Sequence, residues 1–411
     1  MAVTILQTPQ TFTPCYNPMW FTVSGTHTAN SGFNYVFYVD IDDWTGSYTN
    51  KATIRIPKRP DSVVGVIDVS RIVSDYVNTS LDTTNYGFYY NENLVRYKVR
   101  CDEEWTGSAA GSGTTLLTGY AFGGSLRGND FVDWVDTPYK VTDYLTQSNT
   151  KFLTAWSNRN IYTNQNLWLS ALVGTTNTAD KLVVKTYNSA GTLLGTYKIN
   201  NGFNNLTTYP KGRMIRVNCG TYGLNQATLS SGSQPIITAS VSYYTVGLLD
   251  TSGGFDFANS EVKTINIIDA NCKYDNYRLH WLNELGGWDS FNFNLVSKKT
   301  ISVDRQTFTK PLGTLTGGSF GYTKQDRRII PFSISSQDTI ELNSDWISET
   351  ESALLQELIT SPEIYWEQTT SQLIPVTIVD KNYEEKKEVN DRLFNLTLKI
   401  QTNEIKERQR Y

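Results

Sequence analysis

Tyr277-Arg278-Leu279-His280-Trp281-Leu282-Asn283-Glu284-Leu285-Gly286-Gly287-Trp288-Asp289-Ser290-Phe291-Asn292-Phe293 reads as a strand, a tight turn and a second strand. Tyr277, Leu279 and Trp281 alternate along one face of the first strand. Trp288, Phe291 and Phe293 supply aromatic bulk beyond the turn. Such alternation marks a pleated strand with one buried face. Gly286 and Gly287 stand where a hairpin takes positive φ, which glycine reaches without a Cβ clash.

The rest of the composition agrees with this local reading. Aromatic residues make up 13% of the 411 and charged residues only 18%, with Thr, Ser, Asn and Gly filling the difference, so strands and turns are favoured over helices. The chain is long enough for several domains, each with a core of its own. We expect a mainly β protein: two β-sandwich-like domains followed by a C-terminal α+β domain with one amphipathic helix. The expected borders are 1–125, 126–272 and 273–411, with a short helix at 68–77 in the first domain.

In the first domain, Trp20, Phe21 and Val23, the run 35–39, the alternation of Ala52, Ile54 and Ile56, and the run 94–100 all read as strands. Val69, Ile72, Val73, Tyr76 and Val77 are spaced for a helix, with Asp68 as its N-cap. Residues 107–130 are rich in glycine, serine and threonine and read as a loop or linker near the first border. The second domain carries strand signals at 167–173, 181–187, 193–199, 214–218, 236–246 and 262–268. Asn188 to Gly191 form a hairpin turn within it, and 247–258 reads as a turn-rich loop. In the C-terminal domain a strand at 328–334 precedes the capping box Ser348-Glu349-Thr350-Glu351, in which Ser348 and Glu351 stand three apart. Leu354, Leu355, Leu358 and Ile359 then fall at helical spacing, with Leu355 placed to face the sheet, and Ser361-Pro362 ends the helix. Further strand signals follow at 364–366, 373–379 and 393–400.

Reactive constellations are sparse. His27 and His280 lie near no nucleophile or zinc-protease motif; His27 reads as a loop residue and His280 as a strand residue. Asp40 and Asp42 share a strand face and could hold a hard cation, or they could cap a turn with Asp43. Cys15, Cys101, Cys219 and Cys272 are far apart and lack zinc-ligand spacing, so buried thiols are expected. A glycosidase would need two carboxylates across a cleft, and no pair is singled out. We therefore expect no catalytic residue, no cofactor and no metal. Net charge is −4 with no broad basic field, which argues against specific nucleic-acid binding. No apolar run is long enough to span a membrane.

Three stretches resemble one family. The "IDVSRIV…YV" element in the 66–77 stretch, the 277–293 hairpin "WLN…GGWDSFNF", and "ELITSPEIYW…IPVTIVD…NDRLFNLTLKI" in the 354–400 tail resemble, in this order, tail structural proteins of phages that infect Bacteroidetes, crAss-like phages among them. The resemblance implies a hub, ring or baseplate component of the virion tail. It also implies that the C-terminal strands-helix-strands order is similar to the tail-tube-like fold. The expected partners are further copies of the chain in a ring and other phage tail proteins. The residues named for shape and contact are Trp281, Gly286, Gly287, Trp288 and Leu355, with Arg408 and Arg410 in a basic C-terminal arm. Residues 1–10 lack a basic segment followed by an apolar one, so the expectation is synthesis in the host cytoplasm without a signal peptide. The alternative is a receptor-binding or carbohydrate-binding tail adhesin that uses a host surface glycan.

Overall fold

The computed structural model describes residues 3–81, 86–90, 93–136, 141, 143–145, 151–174, 179–249, 260–268, 273–325, 327–380 and 393–409. The protein is mainly β. It divides into two compact units: residues 1–270 with 280–290 and 360–363, and residues 271–279 with 291–359 and 364–411.

The first unit holds two sandwiches. In one, the three-stranded sheet Thr4–Gln7, Trp20–Ser24, Val64–Asp68 faces a five-stranded sheet. That second sheet runs Phe12–Pro14, Thr114–Phe122, Leu94–Glu104, Asn34–Asp42, Tyr48–Ile56. Phe21, Val23 and Ile67 from one sheet and Tyr35, Phe37, Val39, Tyr97 and Val99 from the other fill the core. The apolar alternation in these strands produces this layer directly.

The expected helix at 68–77 is shorter, Ser70–Ser74, because Asp68 is still the last residue of a strand. Its carboxylate accepts from the backbone N–H of both Met19 and Ser70 at 2.9 Å, so it caps the helix from just outside. Residues 107–130 are not a linker. Thr114–Phe122 is a sheet strand, with Leu116 and Ala121 buried, and Gly128–Asp136 is a helix.

The second sandwich packs the sheet Asn158–Ile161, Lys263–Ile267, Tyr243–Leu249, Lys181–Tyr187, Leu193–Asn200 against the sheet Trp168–Leu172, Met214–Asn218, Phe88–Tyr90. The Asn188–Gly191 turn is present, with Gly191 at φ 78°. The expected border at 125/126 is crossed by Phe88–Tyr90, which pairs with Met214–Asn218 in this second sandwich. The strand expected at 236–246 begins only at Tyr243 and continues to Leu249. Asn225 explains the late start: its side chain accepts from Ile237 N–H at 2.8 Å and donates to Ile237 C=O at 3.0 Å, so that backbone is satisfied without a ladder. The helix Thr221–Gln226 was not expected. Of the loop expected at 247–258, residues 250–258 lie outside the described residues. Phe12, Leu94, Phe122, Leu126, Leu153, Leu172 and Met214 form a further core between the sandwiches.

The second unit is the expected α+β arrangement. Within it the strands run in the order Ile364–Thr369, Gln372–Ile378, Thr397–Gln409, Ile329–Asn343, Lys298–Thr309. The helix Glu349–Thr360 opens on the capping box: Glu351 Oε2 accepts from Ser348 N–H and from Ser348 Oγ, both at 2.9 Å, while Ser348 Oγ accepts from Glu351 N–H at 3.2 Å. Leu355 and Leu358 are fully buried, as are Ile340, Leu342, Leu398 and Ile400 of the sheet.

Candidate interaction surface

The opening hairpin turns out to be a structural wedge. Asn283 and Gly287 close the turn, Gly286 takes φ 80°, and Gly287 does not have positive φ. Gly287 is required for a different reason: a Cβ there would lie 2.1 Å from the Leu153 carbonyl oxygen. Asn283 donates to Leu153 C=O and to Asp289 Oδ2, both at 2.8 Å, and accepts from Gly287 N–H. Asp289 is also held by Thr154 Oγ1 at 2.7 Å and by the buried Arg159 guanidinium, which stacks over Trp156. On the other side Asn93 donates to Gly286 C=O at 2.8 Å. The strand Tyr277–Leu282 is buried on both faces from Arg278 onward rather than on one, and Trp281 and Trp288 are core residues. Leu355 is core as well. Arg408 lies in the strand Thr397–Gln409 opposite Ile334, and Arg410 lies outside the described residues.

The candidate reactive groups are engaged in the fold. Arg100 binds Asp40 with two nitrogens at 2.6 and 3.0 Å, and Asn50 adds a third hydrogen bond at 3.0 Å. Burial pushes the Asp40 carboxyl up, but these hydrogen bonds outweigh it and hold the group below its ordinary range. Asp42 accepts from the amides of Trp44 and Gly46 and pairs with Arg96 at 3.0 Å, and Asp43 accepts from Thr45 N–H at 2.9 Å, so these two follow the turn-capping reading, while Asp40 is an ion-paired strand residue. His27 Nδ1 sits 2.7 Å from the buried Glu103 carboxylate, and its ring stacks on Trp105 at 4.3 Å. The same carboxylate accepts from Thr26 N–H, so the group fastens the 25–32 loop to its strand. His280 is buried edge-on to Trp168. Cys15, Cys101 and Cys219 are buried free thiols, and Cys272 lies outside the described residues. Burial pushes Cys15 and Cys101 to about 12, and Cys219 also upward, so these thiols stay protonated at neutral pH.

What stands open is a ribbon in the second unit. Lys298–Thr309 is exposed at every one of its 12 positions and is the terminal strand of its sheet. It pairs along its whole length with Ile329–Asn343, which pairs in turn with Thr397–Gln409. At one end of the ribbon Ile340, Leu342, Leu398 and Ile400 are buried; toward the other end both faces are uncovered. Ile301 (57% exposed) and Val303 project from one face as i, i+2 neighbours. Phe308 and Phe332 meet at 6.2 Å, both exposed. Beyond them the short hairpin Thr314–Thr316, Ser319–Gly321 turns on Gly317 and Gly318, both at positive φ, as a two-residue hairpin loop requires. Leu315, Phe320 and Tyr322 stand exposed at this tip. Lys299 pairs with Asp338 at 2.7 Å beside the apolar row.

Two physical features coincide here. The outer edge of Lys298–Thr309 presents backbone N–H and C=O groups that no described strand pairs, which is a template for another strand. The exposed apolar side chains form the kind of surface that marks protein contact. This strand was missed in the sequence, although Thr300, Ile301, Val303, Thr307 and Phe308 supply β-branched and aromatic content.

No protein-family model and no curated protein matches the chain. Among solved structures, the fibronectin(III)-like modules of Clostridium thermocellum CbhA are similar at 9% identity, over 67% of this chain and 98% of that one, with a TM-score of 0.17. The teleost fish polymeric Ig receptor ectodomain is similar at 8% identity, over 65% of this chain and 98% of that one, with a TM-score of 0.16. Similarity this slight leaves function to be argued from the chain itself.

Proposed function

We propose that this chain is a structural component of a phage virion tail, of hub, ring or baseplate type, and that it acts mechanically rather than as an enzyme. In this reading copies associate in a symmetric ring around the DNA exit path and connect adjacent tail layers. The partners are other copies and other tail proteins, with no specific nucleic-acid binding, and the location is the virion. The observation that carries the reading is the uncovered ribbon: a long edge strand with apolar side chains on an otherwise well-packed unit. A soluble monomer has little use for such a strand, whereas a heterologous contact repeated around an axis would cover it in every copy. The three stretches that resemble Bacteroidetes-phage tail proteins support the same reading. The test is the mass of the purified chain by light scattering, with negative-stain images of the large species. A closed ring is expected. A compact trimer would favour the adhesin instead.

A further inference from the structure

The first unit contains a groove that the assembly reading does not use. It has a volume of about 440 Å³, within the range of small-molecule sites. One wall is Gln7, Thr8 and Pro9, where the edge strand Thr4–Gln7 leaves its sheet. The other includes Phe131 and Val132 of the helix Gly128–Asp136. Trp20, which opens the strand Trp20–Ser24, lines it with half of its surface exposed.

Four properties restrict what fits. None of the described residues lining the groove is ionisable, so a charged ligand would find no counter-charge among them. The half-exposed Trp20 ring offers a flat apolar face next to a polar N–H. Gln7 and Thr8 bring an amide and a hydroxyl to the same groove. Pro9 and Pro18 remove backbone donors from the walls, which disfavours a peptide laddered in as a strand.

The walls are also held in place. Asn17 donates to Leu126 C=O and accepts from Leu126 N–H, both at 2.8 Å, tying the loop before Trp20 to the segment that leads into the helix. Thr13 Oγ1 donates to Gln10 C=O at 2.7 Å. A preorganised wall loses less entropy on binding.

The geometry points to a binding site for a neutral glycan. A pyranose ring lays its C–H face on Trp20 and turns its hydroxyls to Gln7, Thr8 and the indole N–H. The site is independent of the ribbon and requires no particular oligomeric state.

The experiment is an array of neutral and charged glycans probed with the whole chain, followed by titration of the best neutral binder against the wild type, Trp20→Ala and Gln7→Ala. Thermal melting of each variant is the control for folding. Binding confined to neutral glycans is expected, with Trp20→Ala weakening it by about tenfold or more and melting unchanged. Gln7→Ala is expected to weaken it by a smaller factor. A silent array, a preference for charged glycans, or binding unaffected by Trp20→Ala would overturn the assignment. The variant Ile301→Asp, on the ribbon, is expected to bind the glycan as the wild type does; loss there would place the binding surface on the ribbon and also overturn it.

Discussion

Gly287 shows how a single atom position can decide a local fold. The hairpin turn reaches the Leu153 carbonyl so closely that any Cβ at 287 overlaps it, and the oxygen belongs to backbone that cannot swing aside. Gly287→Val is therefore expected to destabilise the first unit by about 3 kcal/mol or more, as overpacking does in a tight core. Urea denaturation monitored by tryptophan fluorescence measures this; a shift below about 1 kcal/mol would mean the turn relaxes away from Leu153. The need for glycine was legible in the sequence, but its cause was not. Sequence suggests positive φ at a Gly-Gly pair, and only Gly286 has it. A close approach from residue 153 leaves no mark in the residues around 287.

Asp40 provides a second test at this scale. Its ordinary value is 3.8, and in the fold it is lowered by Arg100 and Asn50 against the opposing effect of burial. A carboxylate with a lowered folded pKa contributes stability that is present above its unfolded value and is lost as pH falls through the folded one. Arg100→Met removes the main lowering partner and leaves burial, which favours the neutral acid. The variant is expected to lose about 2 kcal/mol near neutral pH, a loss that shrinks as the solution is acidified below the ordinary carboxylate range. A deficit that is constant from neutral pH down to acid would contradict the pairing.

At the scale of elements, the helix Glu349–Thr360 was read from its capping box and apolar spacing, and both are present as expected. Leu355→Asp places a charge in the core of the second unit and is expected to cost about 3 kcal/mol or more, with loss of soluble yield. Normal yield and melting would show that this face does not pack. Strands with clean alternation, such as Tyr48–Ile56 and Leu94–Glu104, were equally legible because one period sets both pleat and burial. Thr114–Phe122 was not, since the glycine and serine before it dominate the local composition while its pairing partners lie in Leu94–Glu104 and Phe12–Pro14. Lys298–Thr309 was hidden for another reason: both its faces are exposed, so its polar and apolar residues follow no single buried face. The surface proposed for contact was thus the part least visible in the sequence. The residues the sequence singled out, Trp281, Gly286, Gly287, Trp288 and Leu355, mostly serve packing.

At the scale of the whole molecule, two well-filled sandwiches share one unit, while the second unit carries an uncovered edge strand and an apolar hairpin tip. The proposed role follows from that contrast: stability is provided internally, and the ribbon remains for contact with a neighbour. The measurement that tests this most directly is molar mass by light scattering on the wild type and on Ile301→Asp/Val303→Asp, both sites being exposed and so tolerant of charge within the monomer. The account predicts a defined oligomer for the wild type and a monomer with unchanged melting temperature for the variant. A wild-type monomer at every concentration, or an oligomer indifferent to the two aspartates, would contradict it.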